Sequence, residues 1–179
     1  MILRIVSVNA NWLQFCTHDI DNRLGFFQNN FSLSGDEVRA LAVKQPKIIT
    51  YSLSQIKVNI FVVKEEMGFN PDETKAILLK RPKIFMSSQY KLLKTFEYLH
   101  KTMQIPLEDI VKLPGSLSCR EHRLKERYLF LKKLNRVQFD SKKPNYVSLL
   151  SIVSGSDSHF ATEIAKSSIQ AYNEFLKTL

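Results

Sequence analysis

The chain has 179 residues and a mass of 20.8 kDa, enough for one domain or one elongated repeat array. Hydrophobic residues make up 44% and charged residues 24%, which excludes a disordered chain. With 26 basic against 17 acidic residues the net charge is +9, a balance that favours an anionic partner such as nucleic acid. No apolar run approaches the roughly 20 residues of a membrane-spanning helix, and none is expected to meet a membrane. The two cysteines, Cys16 and Cys119, are too few for a disulfide scaffold or a structural zinc site, and are expected to be small buried hydrophobes.

Residues 1–19 carry one arginine and no acid before Asp19, and lack the basic start of a secretory signal. Ile2, Ile5, Val6, Trp12, Leu13 and Phe15 read as the tail of a helical unit whose front half is missing. Such a truncated unit should leave apolar surface exposed near Ile5, Trp12 and Phe15.

From Ile20 a repeat begins. Ile20, Leu24, Phe27 and Phe31 form one helical stripe. A shift of 36 residues gives Ile56, Ile60, Val63 and Met67, and a second gives Leu92, Phe96, Leu99 and Met103. A further shift of 32 gives Leu124, Tyr128 and Leu131, with Leu134 one place early. The third unit is therefore shorter by about one helical turn.

A second, shorter helix follows in each unit. Ser34 to Glu37 spells a capping box, Asn70 to Glu73 repeats it with Pro71 at the first helical position, and Glu108 and Asp109 place acids in a first turn. Each short helix stops at a proline, Pro46, Pro82 or Pro114, because proline lacks the backbone donor. The apolar residues after each proline are enough for a single 3₁₀ turn. No unit covers its stripe alone, so the expected fold is an all-α superhelical solenoid. Residues 20–143 are assigned to the repeats, 1–19 to the truncated unit, and 144–179 to a loop and one capping helix. That helix is expected to start at Asp157 or Ser158 and to bury Phe160, Ile164, Ile169, Tyr172 and Phe175.

Two features are distinctive: the Met67-Gly68-Phe69 turn, and the Pro-Lys-Ile stops at Pro46 and Pro82. Together with the stretches Asp21–Gln28, Leu124–Leu131 and Glu163–Gln170, and with the ending Glu174–Leu179 preceded by Lys143–Tyr146, they make the chain resemble the mitochondrial transcription termination factor (mTERF) family. The resemblance implies units of two antiparallel helices plus a 3₁₀ helix. It also implies a mitochondrial protein that binds mitochondrial double-stranded DNA near a promoter and represses transcription. Ribosome assembly, through ribosomal RNA or assembly proteins, is the alternative it implies, and a pure protein scaffold is a third. A full family member would carry more repeats and a transit peptide in front.

The positive charge is concentrated. Residues 120–143 hold nine basic and three acidic residues. Arg123 and Arg127 are helical neighbours, with Arg120 one turn earlier, and they are expected off the Leu124/Tyr128/Leu131 stripe where they can face a ligand. Lys125, Lys132, Lys133 and Arg136 complete this segment. The phase of Arg127 falls in earlier units on Arg23, Asn59 and Thr95, flanked by Lys57 and Lys94. A second basic row follows the prolines, Lys47 and Lys83, with Lys44, Lys80 and Arg81 beside them. These residues are the candidate phosphate contacts. The aromatic residues fall on the core stripe and are not expected to stack on bases. The four histidines lack metal spacing and no nucleophile motif is present, so the chain is expected to be a monomer without cofactor, metal or catalysis.

Overall fold

The computed structural model describes residues 2–179, with side chains from Arg4 onward, so the side chain of Ile2 lies outside the described residues. Every regular element among them is helical. The chain forms two compact units, one ending at Leu93 and one running from Lys94 to Leu179.

The first unit contains α1 (Ile2–Val8), a 3₁₀ turn (Ala10–Gln14), α2 (Thr17–Phe31), α3 (Gly35–Lys44), α4 (Pro46–Thr50), α5 (Leu53–Phe61), α6 (Pro71–Lys80) and a 3₁₀ turn (Pro82–Met86). Both capping boxes form, Ser34 with Glu37 and Asn70 with Glu73, so α3 and α6 start where the sequence places them. The turn after Pro46 departs from expectation: it is a single α-helical turn, whereas those after Pro82 and Pro114 are 3₁₀. The repeat stripe is the core. Phe27, Ile56, Val63, Ile48, Ile49, Ile84 and Phe85 are fully excluded from solvent, and each such side chain contributes about 1.5–3 kcal/mol on burial.

At the amino-terminal side, Ile5 is buried, not exposed, while Trp12 and Phe15 are half-buried. The Trp12 indole N–H donates to the Pro46 carbonyl at 2.9 Å, and the Arg23 guanidinium lies 4.6 Å from the Phe15 ring centroid. Large apolar side chains are exposed beside them, at Val8 and Leu13. Cys16 is also exposed, contrary to expectation; its Sγ caps α2 by accepting from the Asp19 N–H.

The second unit contains the end of α7 (Gln89–Glu97), then α8 (Leu107–Lys112), a 3₁₀ turn (Pro114–Ser118), α9 (Glu121–Lys133), α10 (Leu149–Val153), α11 (Asp157–His159) and α12 (Ile169–Leu176). Its core gathers Phe130, Phe160, Tyr172 and Phe175, with Phe130 and Tyr172 packed edge-to-face at 4.9 Å.

Three first helices end in a π turn that the sequence pattern did not announce: Val62–Glu66, Tyr98–Thr102 and Phe160–Ile164. The closing bonds match. The Met67, Met103 and Ala165 N–H groups reach back to Val62, Tyr98 and Phe160, and those of Phe69, Ile105 and Ser167 to Val63, Leu99 and Ala161. A left-handed residue follows each, Gly68, Gln104 or Lys166.

The third of these turns corrects the reading of the carboxy terminus. The single helix expected over 157–176 is two helices, separated at Lys166, with Ser168 capping the second. Helix, π turn, left-handed residue and capped helix recur there at the spacing of the earlier repeats. The closing segment therefore has the organisation of a repeat, and α12 is its second helix.

Candidate nucleic-acid interface

In the first unit the two post-proline turns lie together. They line an open cleft of about 460 Å³ whose walls are Gln45, Lys47, Tyr51, Lys83, Met86 and Ser87. Lys47 and Lys83 are both exposed and neither makes an ion pair among the described residues. The Tyr51 hydroxyl donates to the Met86 carbonyl at 3.3 Å and links one turn to the next. This is a cleft with two ammonium groups one repeat apart, a chemistry that suits successive phosphates. The third repeat carries Gly115 where these have lysine, so the row ends at two.

Of the remaining first-unit candidates, Lys57 is exposed and lies 5.7 Å from the Phe26 ring centroid. Lys44 is committed to the Leu79 carbonyl at 2.6 Å. Arg23 is turned inward. Its Nη1 donates to the carbonyls of Ile49 and Tyr51, at 2.9 and 2.8 Å.

Asn59, one repeat later, does the same with an amide. Its Nδ2 donates to the carbonyls of Phe85 and Ser87, at 3.0 and 2.9 Å. Asn59 is fully buried and its Oδ1 has no partner, so the donor side of the amide is what the site uses. Thr95 stands at this place in the third repeat and is also buried.

Arg127 completes the series and overturns its assignment as a ligand-facing residue. It is 0% exposed. Its Nη1 donates to the carbonyls of Ile152, at 2.9 Å, and Ser154, while Nη2 donates to Gly155 at 2.9 Å and to the Asp157 carboxylate at 2.8 Å. The guanidinium also packs 4.9 Å from the Phe160 ring centroid. The sequence held a signal for this. Arg127 lies three residues after Leu124 and four before Leu131, and Arg23, Asn59 and Thr95 keep the same spacing within their own stripes. Positions so spaced share one helix face, so this place is at the edge of the core stripe and not off it. The matched acceptors also reveal α10 as the fourth repeat's counterpart of the post-proline turns.

Elsewhere in the 120–136 segment, Glu121 ties down two further candidates. It pairs with Lys94 at 3.0 Å and with Lys125, and hydrogen bonds from Lys125 and then Lys94 hold its carboxyl below the usual range. Lys125 also lies 5.7 Å from the Tyr98 ring centroid, and Lys133 lies 5.3 Å from that of Phe175. Arg120 and Lys132 are exposed, Arg123 and Arg136 half-buried, and none of the four makes an ion pair among the described residues. Cys119, beside them, is half-buried, and burial pushes its thiol up.

A second cleft in this unit, about 620 Å³, is lined by Tyr128 and Phe139 together with Glu108, Asp109 and Asp140 and with Lys112 and Lys142. Its charges are mixed, and Lys112 pairs with Asp109 at 2.8 Å. Among the described residues no group of three His, Cys, Asp or Glu side chains converges on a metal position, and no helix is long and apolar enough to cross a membrane.

Comparison with known proteins identifies relatives of the chain. The Drosophila melanogaster protein named transcription termination factor 3, mitochondrial, is 41% identical over 175 residues, which is 98% of this chain and 49% of that protein. Its Rattus norvegicus namesake is 44% identical over 167 residues, 93% of this chain and 41% of its own length. The Mus musculus namesake is 42% identical over 178 residues, 99% of this chain and 43% of its own. The chain thus spans less than half the length of these relatives. The mTERF family profile, which describes a helical-repeat solenoid, matches residues 1–161, and the chain belongs to the mTERF family.

Proposed function

We propose that this chain is part of a mitochondrial nucleic-acid-binding protein that occupies mitochondrial double-stranded DNA and represses transcription. The observation that carries the reading is the Lys47–Lys83 cleft, where two unpaired ammonium groups recur at the repeat period. Arg120, Arg123 and Lys132 add guanidinium and ammonium groups in the second unit. The names of the relatives supply transcription and the mitochondrion. Contacts of this kind hold the sugar–phosphate backbone and carry no base information, so the mechanism is occupation of the duplex rather than sequence readout. The stripe aromatics Phe27, Phe31 and Phe96 are buried and do not offer stacking.

The test is anisotropy of labelled duplex DNA, duplex RNA and single-stranded RNA of equal length, each titrated across a salt series. Duplex DNA is expected to bind best, with log affinity falling by about 0.9 per engaged phosphate for each decade of salt. Preference for structured RNA transfers the reading to ribosome assembly, and absence of binding at low salt removes it.

A further inference from the structure

The same helical position in three repeats donates two hydrogen bonds to the turn that closes the repeat. Arg23 takes the Ile49 and Tyr51 carbonyls, Asn59 those of Phe85 and Ser87, and Arg127 those of Ile152 and Ser154. The side chain differs, but the acceptor pattern does not: two carbonyls two residues apart, at the end of the turn. A contact needed only to fill space would not reproduce that pattern with both an amide and a guanidinium.

In the first two repeats these bonds end on the walls of the lysine cleft. Tyr51 and Ser87, whose carbonyls are held, both line it. Lys47 and Lys83 each sit four residues earlier in the held turn. The turns are tied back internally as well: the Ser87 hydroxyl donates to the Lys83 carbonyl at 3.1 Å, and the Thr50 hydroxyl to the Lys47 carbonyl at 3.3 Å. Two turns so held, and joined by Tyr51 to Met86, fix the backbone positions from which the two lysines extend.

We propose that Arg23 and Asn59 are positioning residues for phosphate contact: staples, one half-buried and one buried, that fix the turns presenting Lys47 and Lys83 without touching the ligand themselves. The proposal rests on the reading of the cleft as a phosphate surface. It gives Arg23, counted by its charge among the direct contacts, a different task. A flexible turn still carries its lysine, but the ordering cost is then met at binding, and preorganised contacts bind tighter.

The experiment measures the salt dependence of binding to a labelled 22-base-pair duplex DNA, alongside the urea midpoint of each variant. Lys83→Ala is expected to lower the log–log slope by about 0.9. Asn59→Leu, near in volume but without the donors, is expected to lower it by a similar amount, and the double variant no further. Asn59→Arg, the residue at this place in two other repeats, should restore it. Arg23→Gln is the second pair's control, since it removes the charge but keeps an amide donor. It should keep a near-native slope, and Arg23→Met should not; this half-buried site serves if the Asn59 variants do not fold. A lower urea midpoint with an unchanged slope in Asn59→Leu and Arg23→Met would show staples that serve the fold alone, and would overturn the proposal. An unchanged slope in Lys83→Ala and Lys47→Ala would instead overturn the phosphate reading of the cleft itself.

Discussion

The Lys47–Lys83 row and the 120–136 segment use their charge differently. The dense segment commits part of its charge within the molecule and leaves Arg120, Arg123, Lys132 and Arg136 without an ion pair among the described residues. Arg127 is sealed beneath four acceptors, and Lys125 shares Glu121 with Lys94. The sparse row spends none: both lysines stand exposed over one cleft. Counting charges along a chain measures supply. What a ligand meets is what remains after carbonyls and carboxylates have taken their share.

The largest effect expected from breaking this comparison comes from Arg127. Arg127→Met leaves three carbonyls of the Ile152–Gly155 segment without their donor and Asp157 without its partner. The loss should be about 3–5 kcal/mol, the range for removing one member of a buried charged network. Urea unfolding followed by far-UV circular dichroism measures it. A loss under 1 kcal/mol would mean that the network is dispensable. If the variant is as stable as the parent but binds nucleic acid poorly, Arg127 faces a ligand after all.

A second pair of variants removes equal charge from the two regions. Lys47→Ala with Lys83→Ala should lower the salt slope of duplex binding by about 1.8, two contacts' worth. Lys94→Ala with Lys125→Ala should lower it by less, because Glu121 already neutralises part of that charge. Each pair should shift stability by only about 0.5 kcal/mol or so, as surface changes do. Equal slopes for the two pairs would erase the distinction between free and committed lysines.

The outcome at particular residues shows what was readable in the sequence. The stripe from Ile56 to Met67 and from Leu92 to Met103 is buried throughout, since helical period and apolarity together leave little choice. The caps at Ser34 and Asn70 were equally legible, because a side chain three residues from its partner acts locally. Arg127 is the exception. Its acceptors lie 25 to 30 residues away in a segment without proline, and only the spacing of Leu124, Arg127 and Leu131 hints at an inward position. The left-handed places also divide. Gly68 announces one, whereas Gln104 and Lys166 adopt the same backbone against their own preference, held by the bonds of the π turn. The split at Lys166 therefore escaped the pattern of apolar residues, which runs on across it.

Glu121→Gln sharpens the comparison from the other side, with a smaller effect. It removes the carboxylate shared by Lys94 and Lys125, so duplex affinity should rise and the salt slope should steepen. Because the Glu121 carboxyl is held below its ordinary range, its pairing stabilises the fold above that ordinary range and the contribution fades as pH falls through the lowered value. The pairs are partly exposed, so the stability at stake is about 0.2–1 kcal/mol. Binding and unfolding at pH 7 and pH 3.5 measure both parts. No gain in affinity at pH 7 would place these lysines outside the ligand's reach.

The smallest expected effect concerns the aromatic core beside Arg127. Burial, then the Asp157 and Glu126 carboxylates, push the Tyr172 phenol up to about 12, and burial does the same for Tyr98. An unfolded tyrosine gives up its proton near pH 10. Between that pH and about 12 the unfolded chain ionises while the folded one resists, so stability is full below pH 10 and declines as pH rises. Tyr172→Phe keeps the ring against Phe130 and Phe160 and removes the proton. It should leave stability near native at pH 7 and make the decline above pH 10 shallower, with Tyr98 responsible for part of what remains. Urea midpoints at pH 7, 9, 10 and 11 trace the two curves. Identical curves would mean that the phenol ionises in the folded protein as readily as in water, and that the core around Phe130 admits solvent where the packing excludes it.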